Sequence, residues 1–325
     1  MADLKTFVMP NLVAIEAAAE IIYRSLMPTP QIHWPLLSQR CGGEIWVKHE
    51  NHTPIGAFKV RGGLVYMDRL RQEQPDITGI ITATRGNHGQ SVAFAAARHG
   101  LKTVVVVPKG NNPEKNAAMI ALGAELIEHG HDFQAAYEYA IEKSETDQLH
   151  LLPSFHPWLV QGVATYSLEF LRAVPDLDVV YVPVGLGSGI CGMIAARDAL
   201  NLKTKIVGVV ADNAPAYALS FEQQKSVETK TADTIADGLA VRVPDPRAVD
   251  FIQRGVERMV RVSEQAILEA IGIYVTDTHN IAEGAGAAPL AACLLEKSSR
   301  QTGKTGLILS GSNAERGLIQ LVLQE

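Results

Sequence analysis

The feature that most limits the fold of this chain is a regular alternation of short apolar runs with longer helical patterns. The runs rich in valine and isoleucine, which predict strands, are residues 44–48, 78–83, 103–108, 179–184, 205–210 and 305–309. Helical patterns cover residues 12–26, 58–73, 89–99, 112–122, 133–145, 163–173, 190–200, 263–274 and 286–295. Apolar strands that are each followed by a helix are typical of parallel βαβ units. We therefore predict an α/β fold of parallel-rich twisted sheets flanked by helices, with ligands at the carboxyl ends of strands.

Length, charge and cysteine content restrict the class of protein. The 325 residues, of which 47% are hydrophobic, are enough for a large core in more than one domain. Cys41, Cys191 and Cys293 lie far apart, which argues against a disulfide framework or a zinc site and favours the cytoplasm. A net charge of -6 without a basic cluster argues against a nucleic-acid partner. We expect no membrane association and no signal peptide, because no window is apolar for long enough.

A glycine-rich turn follows the predicted strand 179–184 and opens a helix, with the sequence Val184-Gly185-Leu186-Gly187-Ser188-Gly189. Backbone N–H groups converge at such a turn, and the helix N-terminus adds partial positive charge. The segment predicts either a phosphate site, to which Ser188 can add a hydroxyl donor, or a plain strand-to-helix turn. The spacing of its glycines is not that of a dinucleotide-binding fingerprint, and no Walker lysine follows.

Lys59 lies beside an aromatic residue at the predicted first turn of a helix, in the segment Gly56-Ala57-Phe58-Lys59-Val60-Arg61-Gly62-Gly63. An ammonium there faces the positive end of the helix dipole, which lowers its pKa and favours the neutral amine that attacks an aldehyde. The alternative is a solvated surface lysine. Gly62 and Gly63, just inside the helix, lower its stability unless close packing against a ligand or another helix requires them. Their presence therefore favours a functional role for the lysine segment.

Two other strand ends carry polar side chains. Thr84-Arg85-Gly86-Asn87-His88-Gly89-Gln90 follows one strand, and Leu309-Ser310-Gly311-Ser312-Asn313 follows the last. N–H groups in the first of these turns can bind a carboxylate, and the Asn87 amide can bond to a phenolate oxygen. The alternative is that Asn87 caps the helix while His88 is exposed. Ser310 can donate to a ring nitrogen or cap the following helix.

These four segments, in this order, resemble the fold type II family of pyridoxal-phosphate enzymes, and most strongly its threonine/serine dehydratase and serine racemase branch. The segment Ala57-Phe58-Lys59-Val60-Arg61-Gly62 looks like the Ser-Phe-Lys-x-Arg-Gly motif of that branch. Residues 85–90 look like its Ser-Gly-Asn-His-x-Gln loop, and residues 185–189 resemble its tetraglycine phosphate loop. Residues 234–241 and 282–287 also look like dehydratase segments, so the resemblance covers nearly the whole chain.

The resemblance implies pyridoxal 5'-phosphate as the cofactor and a role for each segment. Lys59 would carry the Schiff base and take the Cα proton. The phosphate would be held by Gly185, Leu186, Gly187, Ser188 and Gly189, and the ring would be contacted by Phe58, Asn87 and Ser310. The substrate would be held by Arg85, Gly86, Asn87 and His88. A neutral serine at the ring nitrogen makes the ring a weaker electron sink than an aspartate would, which favours β-elimination.

The chain departs from the racemase branch at two places. Arg85 stands where that branch has a serine as second acid/base, and arginine does not exchange its proton usefully near neutral pH, so we expect racemisation to be lost or minor. The guanidinium could pair with a second carboxylate or point away from the site. The racemase metal ligands would fall near Val210 and Ala216, which cannot ligate, so we expect no metal site.

The favoured function is that of an ammonia-lyase, which dehydrates and deaminates a β-hydroxy amino acid such as L-threonine or L-serine to a 2-oxo acid and ammonia. The alternatives are a 3-hydroxyaspartate dehydratase that uses Arg85, a β-replacement synthase, a serine racemase, and a catalytically silent amino-acid sensor. We expect a large cofactor-binding domain from residues 1–68 and 154–325 and a small domain from residues 69–153. We also expect a homodimer or higher homo-oligomer and no effector-binding domain after Asn313.

Overall fold

The computed structural model describes residues 7–298 and 303–324, and within them the chain alternates between strands and helices. The strands are β1 (Gln31–His33), β2 (Glu44–His49), β3 (Gly79–Ala83), β4 (Lys102–Val107), β5 (Glu125–Glu128), β6 (His150–Leu151), β7 (Val179–Pro183), β8 (Lys205–Ala211), β9 (Arg258–Val262) and β10 (Lys304–Leu309). The helices are α1 (Leu12–Ile22), α2 (Pro35–Cys41), α3 (Lys59–Glu73), α4 (Asn87–Ala97), α5 (Pro113–Ala121), α6 (Phe133–Thr146), α7 (Pro157–Ala173), α8 (Ser188–Ala199), α9 (Ala216–Glu222), α10 (Pro246–Gly255), α11 (Glu264–Thr278), α12 (Gly284–Leu295) and α13 (Arg316–Val322).

The strands form two sheets. The larger sheet has the order β1-β2-β10-β7-β8-β9, in which β1 pairs antiparallel with β2 and the other pairs are parallel. The smaller sheet, β5-β4-β3-β6, is parallel throughout. The predicted α/β fold with parallel-rich sheets is therefore confirmed. Parallel strands align their carboxyl ends on one edge, which is where ligand sites form in such sheets.

The larger sheet is buried on both faces, and strand β7 illustrates how. Val180 and Val182 pack into a core with α7 and α8, whereas Val179 and Tyr181 pack into a second core with α11 and α12. This double burial explains why β7 is a continuous apolar run instead of an alternating one. Among the described residues, no helix is long and apolar enough to cross a bilayer.

Helix α3 packs closely against α7 through Gly62 and against α4 through Gly63. A Cβ atom at Gly62 would lie 2.9 Å from the carbonyl oxygen of Leu159, and one at Gly63 would lie 2.9 Å from the carbonyl oxygen of Ser91. Close packing between helices thus explains both glycines, so they do not by themselves indicate the functional role that the sequence favoured.

A buried network of four charges anchors the start of α3. Arg61 donates to both oxygens of Glu50 (2.7 and 2.9 Å) and to both oxygens of Glu169 (2.6 and 3.0 Å), while Lys48 donates to Glu169 at 2.5 Å. Lys48, Glu50 and Arg61 are fully buried. The two positive and two negative charges balance, which offsets much of their desolvation cost. The network holds α3 in place two residues beyond Lys59.

Candidate active site

The lysine segment and the end of β10 are joined by backbone contacts. The Phe58 N–H donates to the carbonyl of Ser310 at 3.0 Å, and Ala57 forms an isolated bridge with Gly311. Ser310 follows β10 directly and is buried, and its hydroxyl makes no hydrogen bond within the described residues. The predicted ring-nitrogen donor and the predicted Schiff-base lysine are thus neighbours in space.

Lys59 is the first residue of α3 and is half-buried. Its Nζ lies 5.2 Å from the centre of the Phe58 ring, and within the described residues it forms no ion pair and no hydrogen bond. Removal from water lowers the pKa of Lys59, while the nearby Glu283 carboxylate opposes that shift. The direction is the one that the sequence predicted, although burial is the main cause. An amine of this kind suits imine formation.

The glycine-rich turn leads into the N-terminus of α8. Gly187 is the cap residue, with φ +100°, a left-handed conformation that favours glycine, and no side chain among the described residues caps the first turn. The Tyr217 hydroxyl donates to the Leu186 carbonyl at 2.9 Å and accepts from the Asp245 N–H at 3.1 Å, which fixes the turn from behind. The twelve-residue helix can therefore present its free N–H groups to an anion.

The glycine-rich turn also lies beside the lysine segment. A Cβ atom at Gly189 would be 3.8 Å from the Phe58 ring and 3.4 Å from the Tyr166 hydroxyl. The Phe58 and Tyr166 rings meet edge to face, with centroids 5.9 Å apart. Gly189 and Phe58 are therefore close enough to contact one small ligand from two sides.

The asparagine loop, residues 84–90, turns His88 inward and leaves Arg85 exposed, which corrects one alternative raised by the sequence. The cap of α4 is Gly86, and Asn87 is the first helical residue. His88 is buried, not exposed, and its Nε2 has no hydrogen-bond partner among the described residues. Burial, with a smaller effect from Lys59, lowers the pKa of His88 to about 3. The ring is therefore neutral at physiological pH.

Polar contacts join the asparagine loop to the larger sheet's loops. Asn87 Nδ2 donates to both carboxylate oxygens of Glu283, at 2.9 and 3.0 Å, and Asn87 Oδ1 accepts from Asn313 Nδ2 at 2.7 Å. Lys115, on α5, forms an ion pair with Asp237. Burial raises the pKa of Glu283, although the Asn87 amide and the Lys115 ammonium oppose this shift. One hydrogen-bonded pair, Asn87–Glu283, and one ion pair, Lys115–Asp237, thus join the two parts of the chain.

The sequence did not assign roles to Glu283, Lys115, Asp237 or Asn313. Glu283 and Asp237 were visible only as parts of dehydratase-like segments, and Asn313 only as the end of the Ser310 turn. Arg85 behaves differently from its neighbours, because it is exposed and makes no hydrogen bond or ion pair with any described residue. No cluster of three or more His, Cys, Asp or Glu side chains able to hold a metal occurs within residues 7–298 and 303–324.

The residues present fit pyridoxal 5'-phosphate. The uncapped N-terminus of α8 suits the phosphate, and the Lys59 amine has no competing partner in the described chain. The Asn87 amide and the Ser310 hydroxyl supply polar contacts near the same lysine, and the Phe58 ring supplies an apolar one. The unpartnered Nε2 of His88 is a further polar atom that a bound ligand can satisfy.

Comparisons with known proteins identify a matching family model and several relatives. A family model described as "Pyridoxal-phosphate dependent enzyme" matches residues 22–311. The L-threonine ammonia-lyase of Thermotoga maritima is 33% identical over 291 residues, which are 89% of this chain and 72% of that protein. The solved structure of the processed threonine deaminase isoform 2 of Solanum lycopersicum has a TM-score of 0.90 at 31% identity and covers 96% of this chain and 86% of its own. Maize serine racemase has a TM-score of 0.91 at 25% identity and covers 98% of both chains.

Proposed function

This chain belongs to the family of pyridoxal-phosphate dependent enzymes, and we propose that it is an ammonia-lyase that converts L-threonine or L-serine to a 2-oxo acid and ammonia. Relatives named for threonine deamination, at 33% identity over most of the chain, support the reaction. The neutral Ser310 beside the lysine segment supports elimination over reactions that need a long-lived carbanion.

We assign the steps to residues of this chain as follows. Bound pyridoxal phosphate supplies an electron-withdrawing ring that acidifies the Cα–H bond of the attached amino acid. Lys59 Nζ takes the Cα proton, and the N–H groups at the start of α4 hold the carboxylate. The bond between Cβ and the hydroxyl oxygen breaks with its electron pair going to oxygen, and the hydroxyl takes up one proton, which balances the one removed by Lys59, and leaves as water. Hydrolysis of the released enamine by one water then gives the 2-oxo acid and ammonia.

The observation that carries this proposal is the environment of Lys59: an amine with a lowered pKa, without an ion-pair partner in the described chain, beside an open helix N-terminus. The test is release of ammonia and 2-oxo acid from L-threonine and L-serine. Lys59→Ala should abolish release, and Lys225→Ala, at an exposed lysine, should not change it. Equal amounts of ammonia and 2-oxo acid support the proposal. A thioether product instead would indicate a β-replacement synthase, and amino-acid binding without turnover would indicate a sensor.

Racemisation is disfavoured by Arg85. The side chain is exposed and cannot act as a proton shuttle near neutral pH. Conversion of L-serine to D-serine should therefore be slow relative to release of pyruvate, which chiral chromatography of the reaction mixture will measure. D-serine formation at a rate comparable to elimination would overturn this assignment.

A second candidate function is the dehydration of 3-hydroxyaspartate, and the free guanidinium of Arg85 favours it. An exposed arginine without a partner in the described chain can pair bidentately with a second carboxylate. Arg85→Ser should then impair turnover of 3-hydroxyaspartate far more than turnover of threonine. An equal change for the two substrates would exclude carboxylate recognition by Arg85.

We further propose that the two sheets belong to two domains, with residues 69–153 forming the smaller. The smaller sheet runs from β3 to β6, within residues 79–151, which supports this division. The Cys191 side chain is buried and forms no disulfide within the described residues, which supports a reducing compartment such as the cytoplasm. We also propose a homo-oligomer, which light scattering of the purified protein will test.

A further inference from the structure

The Asn87 side chain is held by residues distant in the sequence. Its Nδ2 donates to both oxygens of Glu283, and its Oδ1 accepts from Asn313. The same Asn313 nitrogen donates to the Ile55 carbonyl at 2.8 Å, four residues before Lys59. This Glu283–Asn87–Asn313 cluster therefore ties the asparagine loop to the segment that leads into the lysine.

The cluster allows only one orientation of the Asn87 amide. The amide torsion of asparagine is intrinsically broad and nearly two-fold, so an isolated side chain can exchange its oxygen and nitrogen positions. Here an exchange would place Oδ1 against the Glu283 carboxylate and Nδ2 against the Asn313 amide nitrogen. Both hydrogen bonds would become repulsive contacts. The donor end of Asn87 is therefore fixed by its two neighbours.

The position of Glu283 is itself built into the fold. Its backbone N–H donates to the Gly311 carbonyl at 3.0 Å, next to Ser310. A Cβ atom at Gly311 would lie 2.6 Å from Glu283 Oε1, so only a residue without a side chain leaves room for the carboxylate. The fold thus keeps the Glu283 carboxyl group at the ring-binding side of the site.

We propose that Glu283 is a positioning residue for this reaction: it fixes the Asn87 amide so that an N–H faces the ring hydroxyl of the cofactor, with Asn313 completing the restraint. Both contacts of Asn87 Nδ2 are to the same carboxylate, so one hydrogen can serve Glu283 while the other serves the cofactor. This inference rests on the proposed function, because the restrained amide matters only when the cofactor is bound.

The test is a double-mutant cycle on the holoenzyme with Glu283→Ala, Asn87→Ala and the double variant. The readouts are kcat/KM for L-threonine, the absorbance maximum of the bound cofactor and its pH titration. Each single variant should lose about tenfold or more in kcat/KM. A loss of this size is expected when a hydrogen bond to a charged group is removed. The kcat/KM of the double variant should lie within about twofold of that of the less active single variant, because both substitutions remove the same restraint.

Two control variants separate positioning from a general structural effect. Glu283→Gln keeps an acceptor oxygen for Asn87 and should retain most of the activity and the wild-type absorbance maximum. Asp277→Ala breaks a bidentate ion pair with Arg40 at the end of α11 (2.7 and 2.8 Å), so it should lower the melting temperature without moving the absorbance maximum.

Each outcome has a definite meaning. Additive losses in the cycle would overturn positioning and indicate that Glu283 acts directly on the substrate. An absorbance maximum that is unchanged in Glu283→Ala, with only a lowered melting temperature as in Asp277→Ala, would overturn it as well. Glu283→Gln as impaired as Glu283→Ala would also contradict it. If the wild type binds no cofactor, the proposed function fails, and this result is distinct from all three.

Discussion

Replacing Gly187 with alanine should damage both the fold and the cofactor site, for two reasons that can be separated. Gly187 has φ +100°, and left-handed backbone costs a residue with a side chain about 1–2 kcal/mol. A Cβ atom there would lie 2.6 Å from Ala248 Cβ, well inside van der Waals contact. Overpacking of this kind costs about 1–3 kcal/mol, so the expected total is about 2–5 kcal/mol.

Two other glycines isolate these contributions. Gly110 has φ +76°, and a Cβ atom there would meet no atom within 4 Å, so Gly110→Ala should cost only the conformational part, about 1–2 kcal/mol. Gly317 lies exposed in α13 with open space around it, so Gly317→Ala should stabilise the helix by about 0.5–1 kcal/mol. From most to least stable, the order should be Gly317→Ala, wild type, Gly110→Ala, Gly187→Ala.

Urea denaturation of the four proteins measures this order, and titration of the apoprotein with pyridoxal phosphate measures the second effect. Gly187→Ala should raise the dissociation constant about 10- to 100-fold, because about 1.4 kcal/mol of lost binding energy is a factor of ten. Gly110→Ala and Gly317→Ala should leave it unchanged. Wild-type affinity in Gly187→Ala, or a stability no lower than that of Gly110→Ala, would refute the reasoning.

The remaining predictions concern buried charge. Glu169→Gln should lower the free energy of unfolding, measured by urea denaturation, by about 3–5 kcal/mol, because it leaves Arg61 and Lys48 buried with one carboxylate between them. The control Glu257→Gln, in the exposed pair with Lys205, should lower it by less than about 1 kcal/mol. Equal costs would show that burial of the network is irrelevant. The pKa of His88 is lowered to about 3 in the folded protein. Below about pH 6.5 the unfolded chain therefore binds a proton at His88 that the folded chain does not bind, so the free energy of unfolding decreases as the pH falls. This loss should reach about 2 kcal/mol at about pH 5 and be absent from His88→Gln, and identical pH profiles would contradict it.

The strands that could be predicted are those buried on both faces. Strands β7 and β8 are continuous apolar runs, and their predicted bounds agree with the structure almost to the residue. Strands β1 and β6 have only three and two residues, too few for any period to appear. Strand β9 carries Arg258 and Arg261 among its five residues at the edge of its sheet, so it lacks the apolar run that marked the others.

The candidate site likewise contains some features that could be predicted from local sequence and others that could not. Three features could be predicted because each lies in a short motif at a strand end or helix start, where local sequence predicts local geometry: Lys59, Asn87 and the glycine-rich turn. The Glu283 contact with Asn87 joins residues 196 positions apart, and only the folded backbone brings them together. The same holds for Lys115 and Asp237. Local motifs therefore predicted candidate binding residues, but not the residues from distant parts of the chain that contact them.

The central claim is that Lys59 forms the covalent bond with pyridoxal phosphate, and chemical trapping tests it most directly. Borohydride reduction of the holoenzyme, followed by proteolysis and mass spectrometry, should locate one phosphopyridoxyl group on the Lys59 side chain. Lys59→Ala should carry none and should lack the absorbance band of the bound cofactor. A group found on another lysine of the wild type, or a band that persists in Lys59→Ala, would contradict the account.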